Sequence, residues 1–99
     1  AMIVVREVFR LKFGKARDAK ILMDEMKKLP VQFGTDGNRM LTDLVGPSYT
    51  LVLEANFKSL ASFEEEMKKS MGQPEWKDWY QKFQVLVESS YREIFTIVN

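Results

Sequence analysis

The chain contains neither cysteine nor histidine. Without cysteine there are no disulfides, thiol nucleophiles or thiolate metal sites, and nothing points to a redox compartment. Without histidine the commonest general base near neutral pH is missing, and so is the commonest metal and haem ligand. Any chemistry must rest on carboxylates, tyrosine, lysine, arginine, amides or a bound molecule; no metal and no cofactor is expected. An excess of one charge is missing too. Fifteen basic residues against fourteen acidic ones leave a net charge of +1. No field therefore draws the chain to nucleic acid or to a membrane surface, and neither is expected as a partner. No apolar run approaches the roughly twenty residues of a membrane span. The first residues lack the basic start and cleavage site of a signal peptide, so a cytoplasmic location is the expectation. Ala1 ahead of Met2 reads as an added residue.

What is present suits a folded protein. The 99 residues are 45% hydrophobic, 29% charged and 12% aromatic, which argues for one domain over 1–99 rather than disorder. Met2 to Phe13 alternates as a strand, with Ile3, Val5, Phe9 and Leu11 on one face and Glu7 interrupting them. Val4 and Val8 share the other face with Arg6 and Arg10. Gly14 ends the strand. From Lys15 to Leu29 the period becomes helical, with Ala19, Leu22, Met23, Met26 and Leu29 as the apolar stripe, and Pro30 cannot continue it.

Val31 to Asn38 reads as a connection rich in turn formers. Arg39 to Val45 is a short, mixed strand suited to an edge, Gly46-Pro47-Ser48 a hairpin turn, and Tyr49 to Phe57 the returning strand. Ser59 is placed to cap a helix that runs to about Met71, with Leu60, Phe63, Met67 and Met71 on its apolar side. Gly72 breaks that helix and Pro74 suits the first position of the next. In this last helix Trp76, Trp79, Tyr80 and Phe83 fall at i, i+3, i+4 and i+7, a wall of rings. From Val85 a period of two puts Val85, Val87, Tyr91, Phe95 and Ile97 on the side expected to face the helices. Leu86, Ile94 and Val98 are left on the opposite side.

The order β-α-β-β-α-(α)-β predicts an α+β, ferredoxin-like fold: a four-stranded antiparallel sheet with helices on one face and the first strand inside it. The second sheet face carries Val4, Val8, Val52, Leu86, Ile94 and Val98 among charged residues. Covering them calls for a second copy, so a homodimer through the sheet face is expected.

Phe9-Arg10-Leu11-Lys12-Phe13-Gly14-Lys15, Pro74-Glu75-Trp76, Leu86-Val87-Glu88 and Tyr91-Arg92-Glu93-Ile94 resemble segments of the dimeric α/β-barrel superfamily. That superfamily includes antibiotic-biosynthesis-monooxygenase-like and NIPSNAP-like proteins. The resemblance implies two ferredoxin-like subunits sharing a barrel, with a ligand pocket between each sheet and its helices. The chain departs from NIPSNAP-like sequences in having Glu7 where they tend to carry Arg and Phe13 where they tend to carry Pro. It also lacks the histidine on which haem-degrading members rely.

Glu7 is the leading candidate for chemistry, because a carboxylate on an apolar strand face suits a general base. Tyr91 or Arg39 would then stabilise a developing oxyanion. The alternative is that Glu7 sits in a structural ion pair, with Arg39 as partner. Trp76, Trp79, Tyr80 and Phe83 are candidates to line a small apolar or aromatic ligand, with Tyr49 and Glu93 as inward polar groups. Core packing and a satisfied hydrogen-bond network are the competing readings. Three functions follow: a small-molecule-binding dimer, a cofactor-independent monooxygenase or isomerase acting on an aromatic or polyketide-like substrate, or a non-catalytic dimeric interaction module.

Overall fold

The computed structural model describes residues 2–29 and 36–99. Pro30 and most of the expected connection, including Gly34 and Thr35, lie outside the described residues. The elements are β1 (Ile3–Leu11), α1 (Ala16–Met26), β2 (Asp36–Thr42), β3 (Thr50–Phe57), α2 (Leu60–Met71), α3 (Pro74–Gln84) and β4 (Val87–Thr96). The strands form one antiparallel sheet in the order β2-β3-β1-β4. This is the ferredoxin-like arrangement, with the apolar β1 inside the sheet.

Local chemistry accounts for most boundaries. Gly14 takes φ +79, a left-handed turn that glycine adopts without a Cβ penalty, and the chain leaves β1 there. The Ser59 hydroxyl accepts from the Ser62 backbone N–H and caps α2. Pro74 occupies the first turn of α3, where its missing N–H costs nothing. The second strand lies three residues earlier than its composition suggests, ending at Thr42. The following Asp43 is drawn into the turn: its carboxylate accepts from the Thr50 N–H at 2.9 Å, while Thr50 Oγ1 donates to the Pro47 carbonyl at 2.7 Å.

The core lies between the helices and one sheet face, in two clusters. One gathers Leu11, Ala19, Met23, Leu51, Trp79, Phe83 and Leu86; the other gathers Ile3, Val5, Phe57 and Phe63. Ala19 and Met23 come from the expected α1 stripe, with Leu22, Met26 and Leu29 packed beside them. In α2 the stripe is only half used, since Phe63 is buried while Leu60 and Met71 are exposed.

The last strand reverses its expected faces. In the pairing of β1 with β4, Arg10 stands opposite Ser89 but Leu11 opposite Val87, so Glu88 is an extra residue. One extra residue inverts the alternation beyond it. Residues directly opposite in an antiparallel pair share a face. Hence Ser90, Arg92 and Ile94, opposite Phe9, Glu7 and Val5, face the helices, whereas Tyr91, Glu93 and Phe95, opposite Val8, Arg6 and Val4, face away. Leu86, expected on the outer face, is buried in the helix-side core, and Val98 lies exposed beyond the strand.

The outer face is ordered in rows. Arg39, Glu54, Arg6 and Glu93 run across all four strands with alternating sign. Arg39 Nη2 donates to Glu54 Oε1 at 2.7 Å and Arg6 Nε to Glu54 Oε2 at 2.9 Å; Arg6 Nη1 lies 3.7 Å from Glu93. The neighbouring row is Leu41, Val52, Val8 and Tyr91. Glu54 is only 7% exposed. The hydrogen bond from Arg39 is the chief cause holding its carboxyl below the ordinary 4.5, with burial acting in the opposite sense and Arg6 reinforcing the lowering. A depressed carboxyl contributes stability that is full above its unfolded value and is lost as pH falls through its folded value. Glu54→Gln is therefore expected to cost about 1–2 kcal/mol at neutral pH. The gap between wild type and variant in urea-unfolding free energy should narrow below about pH 4.5. An identical gap at both ends of that range would show that the Glu54 charge contributes nothing.

Candidate functional site

Four inner residues, Met40, Leu53, Glu7 and Arg92, form a row across the sheet beneath the helices. Glu7 thus has an apolar neighbour on one side and a guanidinium on the other. Arg92 Nε donates to Glu7 Oε1. The same guanidinium lies over the Phe63 ring, 5.1 Å from its centroid, so α2 and the sheet together fix its position. Glu7 remains 25% exposed.

Above this row is a cavity of about 460 Å³. Its roof is α3, which contributes Trp76, Trp79, Tyr80 and Phe83. These rings are layered: Trp76 stacks on Trp79 at 5.2 Å and on Tyr80 at 5.9 Å, and Trp79 on Phe83 at 5.0 Å. Trp79 Nε1 donates to the Leu22 carbonyl at 2.5 Å, which fastens α3 to α1. Met67 and Met71 of α2 close one side, with Val5, Ala55 and Phe57 on the floor. A volume of a few hundred cubic ångströms with apolar walls and few polar groups is of the kind that takes small organic molecules. The outer face also carries an open groove of about 470 Å³. That groove lies over the charged row just described and lacks a wall of rings, so the inner cavity is the better ligand candidate.

The structure brings five candidate residues together around the cavity: Glu7, Trp76, Trp79, Tyr80 and Phe83. The others are placed differently. Tyr91 and Glu93 point away from the helices because of the extra residue at Glu88. Arg39 reaches the cavity rim, but its guanidinium is bonded to Glu54 on the outer face rather than to Glu7. Tyr49 sits at the far end of the core, at φ +62, with its ring 5.1 Å from Phe13. Of the expected set, Tyr91 is on the opposite face from Glu7, and Arg39 shares the cavity with Glu7 without being bonded to it. Arg92 was the residue missed. An unbroken run of three apolar residues, Val85-Leu86-Val87, is the sequence signal that alternation fails at the start of β4.

Among the described residues no group of three acidic side chains is placed to hold a metal, and no helix is long and apolar enough to cross a membrane.

The same ferredoxin-like fold is found in solved structures of NIPSNAP-family and antibiotic-biosynthesis-monooxygenase-like proteins. A NIPSNAP family protein from Agrobacterium tumefaciens superposes with a TM-score of 0.87 at 23% identity, over 99% of this chain and 87% of that one. A NIPSNAP-like domain protein from Burkholderia xenovorans gives 0.86 at 19% identity, covering 98% and 85%. SnoaB, a cofactor-independent oxygenase from Streptomyces nogalater, gives 0.69 at 14% identity, covering 99% and 94%. No protein-family model and no curated protein matches the chain. At these identities the likeness is one of fold.

Proposed function

We propose that the chain binds a small, flat, apolar or aromatic molecule in the cavity between helices and sheet, and does so as a homodimer joined through the outer sheet face. The observation that carries the first part is the layered roof of Trp76, Trp79, Tyr80 and Phe83 over a floor that includes the Glu7–Arg92 pair. The roof meets the sheet where Phe83 packs edge-on against Phe9, ring centroids 4.9 Å apart, and about 460 Å³ is left open beside that contact.

The second part rests on the apolar row Leu41, Val52, Val8 and Tyr91, with Phe95 beyond the charged row, on a face that no helix covers. The charges of the row on one side of it are already paired within one chain, while Arg10 stands exposed on the other side. Bringing two such faces together removes apolar surface from water and leaves those paired charges paired.

An enzymatic reading, cofactor-independent oxygenation or isomerisation of an aromatic substrate, is favoured by the position of Glu7 at the cavity floor. The fold similarity to an oxygenase of that description supports it further. A carboxylate that accepts from Arg92 must give up that bond to work as a base, so Arg92 would serve as the partner of Glu7 in any such reaction. A dimeric interaction module is the remaining alternative, and it requires no ligand at all.

The test is to fill the space. Ala55 stands on the cavity floor opposite Val5. Flat aromatic probes should quench tryptophan fluorescence saturably in the wild-type protein. Ala55→Phe, with an unchanged circular dichroism spectrum, should weaken them by about tenfold or more. Equal affinity in the two folded proteins would place the ligand elsewhere. An absence of saturable binding in both would favour the interaction module.

A further inference from the structure

The charged side chains around the cavity share a property that bears on what it accepts: each is already paired. Glu7 is bonded to Arg92. Arg39 and Glu54 are bonded to one another, and Lys27 at the rim lies 3.7 Å from Asp24 of its own helix. The remaining walls are predominantly apolar. We infer that the ligand is electrically neutral and carries a hydrogen-bond donor beside an acceptor, as an amide, a phenol or an enol does, and that the Glu7–Arg92 pair reads that edge as a unit. The inference rests on the reading of the cavity as a ligand site.

The selectivity follows from what each class of ligand does to the pair. The Nε–Oε1 bond engages one nitrogen of a guanidinium that has five N–H donors and one oxygen of a carboxylate with several lone pairs. Donor and acceptor capacity therefore remain side by side at the cavity floor. A neutral group that both donates and accepts completes a cycle with the pair and breaks nothing. An anion competes with Glu7 for Arg92 and leaves a carboxylate that is only 25% exposed without its partner; a cation does the same to the guanidinium, whose 45% exposure softens the loss. Lys27 offers an anion little compensation, being well exposed to water and already beside Asp24. The Phe63 ring under the Arg92 guanidinium favours keeping that cation where it is.

Four probes of one shape separate these cases: naphthalene, 2-naphthamide, 2-naphthoate and 2-naphthylmethylammonium, titrated into the full chain by calorimetry at neutral pH. Naphthamide is expected to bind about tenfold more tightly than naphthalene, and both ions more weakly than naphthamide by about tenfold or more. Glu7→Gln, which leaves Arg92 without its carboxylate, should shift the preference towards naphthoate, and Arg92→Gln towards the ammonium. If naphthoate or the ammonium matches naphthamide in the wild-type protein, the inference is overturned, whether or not the variants fold. Equal binding of all four probes would overturn it too, yet leave the cavity as an unselective apolar site. Failure of all four to bind would remove the cavity reading itself.

Discussion

Trp79→Ala is expected to lower the unfolding free energy by about 3–5 kcal/mol and to abolish any ligand-induced rise in the thermal midpoint. Trp79 is 4% exposed and lies between two other rings, stacked on Trp76 on one side and on Phe83 on the other. Truncation removes both contacts and opens a void in the larger core cluster. It also removes the hydrogen bond to the Leu22 carbonyl, the point at which α3 is tied to α1. For a domain whose total stability is of the order of 5–15 kcal/mol, this is a large share. Trp79→Phe divides the effect, because it keeps most of the ring and loses the indole N–H; about 1–2 kcal/mol is expected. Urea unfolding followed by circular dichroism measures both. A loss below about 1 kcal/mol for the alanine variant would mean that α3 docks without this ring.

Replacing both Tyr91 and Phe95 by glutamate is expected to convert the proposed dimer to a monomer, read as a fall from two chain masses to one by light scattering. In the isolated chain these side chains are 59% and 45% exposed, so charging them costs the single subunit little. In a two-fold assembly each new carboxylate faces the same patch on the partner copy, and the repulsion is duplicated by symmetry. Wild-type protein running as a monomer would sink the dimer proposal, and so would a folded double variant that stays dimeric.

Much of this architecture was legible because periodicity is a local property. The faces of β1, the α1 stripe, the Ser59 cap, the turn between β2 and β3 and the ring wall of α3 all follow from residues within a few positions of one another. What failed depended on register, which belongs to two strands at once. Glu7 and Arg92 are 85 positions apart, and nothing near either residue announces the other. Along β4, Arg92 falls in step with Glu88 and Ser90, which reads as a solvated edge until the extra residue is counted. Arg39 went astray for a related reason. Its strand starts at Asp36 and has its own irregularity before Arg39, which sets Arg39 opposite Glu54 and not near Glu7.

The extra residue at Glu88 acts on the strand as a frameshift acts on a message. Every later residue keeps its identity and changes the side on which it is read. Deleting Glu88 would make Val87 and Ser89 neighbours in sequence as well as in register, so strict alternation would return with Arg92 still beneath the aromatic roof and Tyr91 and Glu93 still on the outer face. Only a slip of the whole strand by one residue against β1 would exchange the side chains of its two faces. Glu88 is thus the residue that lets Val87 and Arg92, five positions apart, share the inner face, Val87 opposite Leu11 and Arg92 opposite Glu7.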